Sequence, residues 1–128
     1  MCNDFESMLL RDPLQATPTY MATGTAKSML SNRLSYFFDW RGPSITIDTA
    51  CSSSLVSLHM AVQALRSNES RVAVACGSNL ILGPGNYITE SKLKMLSPDG
   101  VCKMWDKDAN GYGYVISTRN SGLKTATN

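Results

Sequence analysis

The sequence predicts an α/β fold with a mainly parallel sheet, and three stretches carry this prediction. Residues 43–47 (PSITI) alternate β-branched residues after a Gly-Pro break, as a strand entering a protein interior does. Residues 55–65 repeat leucine and valine at three- and four-residue steps, with apolar residues on a second face, which predicts a buried helix. Residues 72–77 (VAVACG) form an unbroken small and apolar run, typical of a strand that a parallel sheet covers on both faces. Strand, helix and strand in this order form a βαβ unit.

Composition limits the class of protein. The 128 residues suffice for one domain at most, and 43% hydrophobic with 17% charged residues is typical of a globular core. The net charge of +2 forms no basic stripe, which argues against a nucleic-acid partner. The sequence has neither a secretory signal nor an apolar run long enough to span a bilayer. We therefore expect a reduced, soluble, cytoplasmic protein with no membrane partner.

The elements before residue 43 follow from local signals. Residues 1–23 are expected to be irregular, with a short helical turn near Leu9, because Pro13 and Pro18 each disfavour helix in the residue before them. Residues 25–38 predict a helix that stops at residues 40–43 (WRGP), since glycine suits a helix end and proline cannot continue it. The side chains expected to form its core face are Leu30, Leu34, Phe37 and Phe38, with Met29 beside them.

After the predicted helix, which should end near Arg66, polar and glycine-rich stretches predict turns at residues 67–70, 83–86 and 96–100. A further helix is predicted for about residues 87–95.

The four cysteines are widely separated, at Cys2, Cys51, Cys76 and Cys102. None belongs to a C-x-x-C pair and the chain has one histidine, so the sequence predicts no metal site. Cys76 lies inside the second predicted strand and is expected to be inert packing. No charge partner can be identified for Cys102, so we expect it to be unreactive.

Cys51 falls at the corner between the first predicted strand and the long helix. There the free N–H groups and the positive dipole end of the helix point toward the sulfur and favour the nucleophilic thiolate. The same N–H groups suit an oxyanion formed when that sulfur attacks a carbonyl. Spacing alone leaves open the alternative that Cys51 is a small buried apolar residue.

The string DTACSSSLV at residues 48–56 resembles the active-site signature of β-ketoacyl synthases, specifically the ketosynthase domain of polyketide synthases. Further motifs resemble the fungal, highly reducing type I enzymes, in the order of that family. They are MLLRDP (8–13), ATGT (22–25), LSNRLS (30–35), RGPS (41–44), LSPDG (96–100) and DANGYG (108–113). Residues 1–113 are accordingly identified as a partial, N-terminal ketosynthase domain.

The resemblance implies a thiolase-like layered fold and an acyltransferase of polyketide or fatty-acid-like biosynthesis. Cys51 would be the acyl-accepting nucleophile, with its own backbone N–H as an oxyanion donor, in a decarboxylative Claisen condensation. It implies no directly bound cofactor, because the acyl groups arrive on the phosphopantetheine of an acyl carrier protein. In the family the strand before the cysteine lies near a dimer interface, so a homodimer is a candidate assembly.

Decarboxylation in this family depends on two histidines from the later half of the domain. His59, the single histidine here, lies eight residues after Cys51 on the same predicted helix. That spacing separates them by about 12 Å of axial rise and by roughly 80° around the helix. A proton-transfer partner needs a contact of about 3 Å, so we expect His59 to be a packing or surface residue.

The serines after Cys51 raise the alternative of a serine hydrolase elbow, but that motif needs glycines two residues either side of the serine, and none lies between Gly42 and Gly77. We assign these serines to helix capping and close packing.

The resemblance stops after Gly113, where the family continues with an Arg-Gly-Glu-Gly turn. Residues 114–128 are expected to be a divergent tail, disordered from residue 119, as in a truncated or frameshifted product. Two functions follow: an incomplete ketosynthase that keeps its nucleophile, or an inactive remnant that acts only through association or dimerisation.

Overall fold

The computed structural model describes residues 4–9, 18–113 and 121–127, the last of these as backbone alone. Within these ranges the helices are α1 (Asp4–Leu9), α2 (Met21–Thr25), α3 (Met29–Phe37), α4 (Ser53–Arg66) and α5 (Gly85–Lys92), and the strands are β1 (Val72–Gly77) and β2 (Ser121–Thr127). A 3₁₀ turn, Ala50–Ser52, leads into α4. The chain divides into two units, residues 1–78 with 119–128, and residues 79–118.

The first unit is built on α4, which packs against β1. Val56, Ala61, Val62 and Leu65 of α4 are half-buried, as are residues 73–75 of β1. The helix and the second predicted strand therefore form where the sequence places them, and α4 ends at Arg66 as predicted.

The prediction that α4 is buried on more than one side is wrong. Leu55, Leu58 and Met60 are 69%, 39% and 43% exposed. In the described part of the chain α4 packs on a single strand, which covers one face of a helix, so the second apolar face meets solvent. β1 likewise contains no fully buried residue, and Cys76 within it is exposed instead of packed.

The sheet is antiparallel where we predicted a parallel one. β1 pairs with β2 in a register that places Val72 opposite Thr127. β2 also lies within the tail for which we predicted disorder, because we found no apolar periodicity there. Ladder hydrogen bonds join backbone groups and do not require that periodicity. Among the described residues, parallel pairing is limited to one isolated bridge between Leu96 and Tyr112.

Residues 43–47 form no strand ladder, contrary to prediction. This segment lies beside α3, and its hydroxyls at Ser44 and Thr46 bond to Ser35 and Ser31 of that helix. Side chains that alternate in this way belong to an extended chain. The β-branched pattern thus predicts the local conformation, while the partner is a helix and not another strand.

The predicted core face of α3 is also wrong. Leu30, Leu34, Phe37 and Phe38 are 49%, 42%, 78% and 53% exposed. The serine face is the half-buried one, because its hydroxyls find partners on the neighbouring segment. The helix is shorter than predicted as well, since residues 21–25 form α2 and α3 starts at Met29.

Three helices end in the same way, with a non-glycine residue in the left-handed region. Asp39, Asn68 and Lys94 have φ values of 52°, 58° and 54°. After each of them the next amide donates to a carbonyl in the last helical turn, as in Trp40 N to Ser35 O at 2.9 Å. This is the Schellman arrangement, and it ends α3 before Gly42 is reached.

The second unit joins two of the motifs noted in the sequence. Ser97 N donates to Tyr112 O at 2.9 Å, and Tyr112 N donates to Met95 O at 3.1 Å. Ser97 is buried, and its hydroxyl donates to Asn110 Oδ1 at 2.9 Å. The LSPDG turn and the DANGYG segment are therefore one structural element, next to α5.

Candidate active site

Cys51 lies in the middle of the 3₁₀ turn, two residues before Ser53, the first residue of α4. The predicted position at the amino end of a helix is therefore confirmed. The thiol is exposed, so the alternative that Cys51 is a small buried apolar residue is wrong. An exposed sulfur at the amino end of a 14-residue helix can reach a substrate carbonyl, and the positive dipole end of the helix favours negative charge there.

The backbone directly before the thiol is strained. Ala50 has φ +56°, in the left-handed region, where an L-residue loses roughly 1–2 kcal/mol. Such a conformation persists only where neighbouring groups hold it. Here it turns the chain from the extended segment into α4 and so sets the direction of Cys51.

Hydroxyl groups hold this turn together. Ser53 Oγ accepts from Thr49 N at 2.8 Å and donates to Ala50 O at 2.6 Å. Ser52 Oγ donates to Thr49 O at 2.9 Å. The predicted capping role needs correction, because Ser52 occupies the N-cap position of α4 without a side-chain capping bond. Ser52 and Ser53 bond to the backbone of the turn instead, beside the exposed thiol of Cys51.

Asp48 connects the turn to the rest of the unit. Its Oδ1 accepts from Ala50 N at 3.1 Å, and its Oδ2 lies 3.5 Å from Lys27 Nζ. The Ala50 N–H, with a smaller contribution from the Lys27 ammonium, holds the pKa of the Asp48 carboxyl below its ordinary value of 3.8. The carboxylate is therefore charged at neutral pH and able to keep both partners.

Three polar pairs, which we call the α3 ladder, join α3 and the residue before its cap to the segment that precedes the thiol. They are Lys27 with Asp48, Ser31 with Thr46 at 2.9 Å between hydroxyl oxygens, and Ser35 with Ser44 at 3.0 Å. Steps of four along the helix advance about 6 Å and steps of two along an extended chain about 6.6 Å, so the two spacings match.

His59 lies at an exposed position of α4, where the sequence predicts a packing or surface residue. Among the other described cysteines, Cys76 is exposed in β1 and Cys102 is exposed in the second unit, where its sulfur accepts from Gly113 N at 3.2 Å. Cys2 lies outside the described residues. No group of three metal-ligating side chains occurs in the described part of the chain.

Sequence reasoning missed the groups that position Cys51. The residue spacing does not predict the left-handed conformation of Ala50. Lys27 has the pattern of an ordinary residue on the polar face of a helix. One signal was present: Lys27, Ser31 and Ser35 repeat at four-residue steps. That repeat marks a polar face with a polar partner.

The comparison with protein-family models matches residues 1–116 to the N-terminal domain of β-ketoacyl synthases. The chain belongs to the β-ketoacyl synthase family. The match runs three residues past our boundary at Gly113.

The chain is similar to fungal polyketide synthases. It is 74% identical over 125 residues to the highly reducing polyketide synthase calA of Penicillium decumbens, an alignment that covers 98% of this chain and 4% of that protein. It is 70% identical over 112 residues to the highly reducing polyketide synthase bet1 of Neocamarosporium betae, covering 88% of this chain and 4% of that one. The calA alignment covers 98% of this chain, so it includes residues after Gly113. We expected the sequence to diverge from the family there.

Solved ketosynthases share the fold of this β-ketoacyl synthase chain. The ketosynthase from module 6 of the bacillaene synthase of Bacillus subtilis 168 superimposes with a TM-score of 0.73 at 40% identity, over 87% of this chain and 18% of that one. The oxazolomycin ketosynthase domain of Streptomyces albus JA3453 gives 0.64 at 44% identity, over 68% and 16%. These likenesses support the predicted α/β class, although the layered parallel sheet is not seen in the described residues.

None of the described helices combines the length and the apolar character that crossing a bilayer requires.

Proposed function

We propose that this chain carries the acyl-accepting nucleophile of a polyketide ketosynthase, and that Cys51 is that nucleophile. The observation that carries the proposal is the exposed thiol at the amino end of α4, within the signature that the family uses for this purpose. The chain spans about 4% of the length of the curated relatives named above, so what the whole enzyme does is also part of this proposal.

In the first step the Cys51 thiolate attacks the carbonyl carbon of an acyl thioester on an acyl carrier protein. A C–S bond to Cys51 forms, the C–S bond to the phosphopantetheine breaks, and the phosphopantetheine leaves as a thiolate that takes up a proton. The Cys51 backbone N–H, at the amino end of α4, donates to the oxyanion of the tetrahedral intermediate. No cofactor is bound by the chain itself, because the carrier delivers the substrate.

In the second step a malonyl thioester loses carbon dioxide, and the resulting carbanion attacks the acyl-Cys51 carbonyl. A C–C bond forms and Cys51 leaves as a thiolate. The two histidines that the family uses for decarboxylation have no counterpart within these 128 residues, since His59 is exposed on α4 and eight residues from Cys51. The part that this chain plays in both steps is that of Cys51, first as the acyl acceptor and then as the leaving thiolate.

Acylation can be tested with a short acyl thioester of N-acetylcysteamine and intact-mass spectrometry. We expect one acyl adduct, mapped to Cys51 by peptide analysis and absent from Cys51→Ser. Cys76→Ser serves as a matched control, because Cys76 is also exposed but lies in a strand. Acylation at Cys76 or Cys102 as fast as at Cys51 would overturn the proposal.

A second candidate function is association without catalysis, including homodimerisation, as an inactive ketosynthase remnant. It is favoured by the exposed apolar side chains of α3 and α4, such as Phe37 at 78% and Leu55 at 69%. Treatment with a limiting amount of a thiol alkylator distinguishes the two candidate functions. Selective labelling of Cys51 favours the nucleophile assignment, and equal labelling of all cysteines favours an inactive remnant.

A further inference from the structure

We infer that Lys27 is a positioning residue for Cys51, acting through Asp48 and the strained turn at Ala50. This inference rests on the proposed function, because it concerns how the proposed nucleophile is aimed. Lys27 lies 24 positions before Cys51 in the sequence and outside the signature around it.

The first step is the geometry of the Asp48 carboxylate. One of its oxygens lies 3.5 Å from Lys27 Nζ and the other accepts from Ala50 N at 3.1 Å. A carboxylate that is held on one side by an ammonium has less freedom to rotate away from the amide on its other side. The Lys27 contact therefore favours the rotamer of Asp48 that binds the turn.

The second step is the strain at Ala50. Its φ of +56° is unfavourable for alanine, so the turn relaxes toward ordinary backbone conformations when its hydrogen bonds are weakened. Cys51 is the next residue, and a change at Ala50 redirects both its N–H and its Sγ relative to α4. The Asp48 bond to Ala50 N thus determines how often the thiol faces the helix end.

The third step is the α3 ladder, which fixes where Lys27 and Asp48 meet. The pairs Ser31 with Thr46 and Ser35 with Ser44 hold the segment against α3 at the matching spacing described above. Lys27 and Asp48 are the last pair of this series before the thiol. Their side chains are 48% and 38% exposed, so either can be replaced without opening a core.

The test compares the full chain with Lys27→Met, which keeps the aliphatic stem and removes the charge, and with Lys27→Arg, which keeps the charge. Lys92→Met is the matched control, because Lys92 is an exposed helical lysine in the other unit. The readouts are the rate of iodoacetamide labelling of each cysteine across a pH series, and the hydrogen exchange of the Ala50 amide.

We expect Lys27→Met to slow labelling of Cys51 about two- to fivefold, the range open to an exposed ion pair. Labelling of Cys76 and Cys102 should stay unchanged. Exchange of the Ala50 amide should quicken, and Lys27→Arg should restore both readouts. Asp48→Asn should match Lys27→Met, and the double variant should be no slower than either one, because both changes cut the same link.

Cys51 labelling in Lys27→Met that equals the parent would overturn the inference, as would an equal change at every cysteine, which indicates general loosening. The proposed function fails separately. If Cys51 is not selectively acylated in the parent while the Ala50 amide still responds to Lys27→Met, the turn is positioned as inferred and the nucleophile assignment is wrong.

Discussion

Ala50 and Cys51 are adjacent residues with different roles: Ala50 sets the direction of the backbone and Cys51 carries the thiol. Ala50 takes an unfavourable left-handed conformation, and Cys51 gains from it an exposed position at the start of α4. Three hydrogen bonds offset the strain: the Ala50 amide donates to Asp48 Oδ1, the Thr49 amide donates to Ser53 Oγ, and Ser53 Oγ donates to Ala50 O. Each such bond contributes about 0.5–1.5 kcal/mol, so together they can outweigh a cost of roughly 1–2 kcal/mol.

The change in the free energy of unfolding caused by a substitution at Ala50 should therefore depend on how well the new residue tolerates positive φ, and not on side-chain size alone. Ala50→Gly removes the left-handed penalty but adds chain entropy, so we expect a change of less than about 1 kcal/mol in the free energy of unfolding. Ala50→Val should destabilise by roughly 2 kcal/mol, because a β-branched residue tolerates positive φ poorly. Urea unfolding followed by circular dichroism measures both.

The matched control is Ala61→Gly within α4, where the same change should cost about 1 kcal/mol because φ is already favourable for alanine. Equal costs at positions 50 and 61 would contradict the strained conformation assigned to Ala50.

At the scale of elements, helix periodicity predicted α4 and placed Cys51 correctly at its amino end, although the segment before the turn is extended and not a paired strand. The small apolar run at residues 72–77 predicted a strand with the same first and last residues as β1. These succeed because each pattern is local: the period of one segment determines its own conformation. The Schellman ends of α3, α4 and α5 were not predictable in this way, since each uses a left-handed residue other than glycine.

Partners were harder to predict than conformations. The apolar face of α3 looked like core, yet Ser31 and Ser35 face the neighbouring segment, and residues 43–47 pair with a helix instead of a strand. Propensity describes a segment and does not say which other segment satisfies its polar groups. For the same reason the sequence placed Asp48 in the signature around Cys51 but did not reveal its partner Lys27.

The element formed by the LSPDG and DANGYG motifs gives a second prediction. Gly111 has φ +128°, and a Cβ there would lie 2.6 Å from Ser97 N and 2.7 Å from Met95 O. Those are the groups that bond to Tyr112, so a methyl group must break the bridge. We expect Gly111→Ala to cost about 2 kcal/mol or more.

Hydrogen exchange of the Ser97 and Tyr112 amides measures this loss directly, and both should exchange faster in Gly111→Ala. Gly83→Ala is the control, because a Cβ at Gly83 meets nothing within 4 Å. That variant should be neutral or stabilised by up to about 1 kcal/mol. Unchanged protection of both amides in Gly111→Ala would argue against the bridge.

At the scale of the whole molecule, apolar residues are unusually exposed. Among the described residues Ile81 is the buried apolar side chain, at 7% exposure, while large apolar groups along α3 and α4 meet solvent. A fully buried leucine or phenylalanine contributes about 1.5–3 kcal/mol, and most of that gain is not realised here. The solved ketosynthases to which the chain is similar are about four to five times as long, because 87% of this chain covers 18% of one and 68% covers 16% of the other.

The 128-residue chain on its own should therefore associate and bind a hydrophobic dye such as ANS at micromolar concentration. Replacing Phe37 and Leu55 together by glutamine should lower both dye binding and apparent mass while helix content by circular dichroism stays the same, because both side chains are mostly exposed. Ile81→Gln should act in the opposite direction and raise dye binding, since it places an amide in a buried position. Light scattering after size exclusion, run over a concentration series, gives the mass. A chain that stays monomeric and binds no dye would mean that these apolar faces are covered in solution, and it would remove the support for the association function.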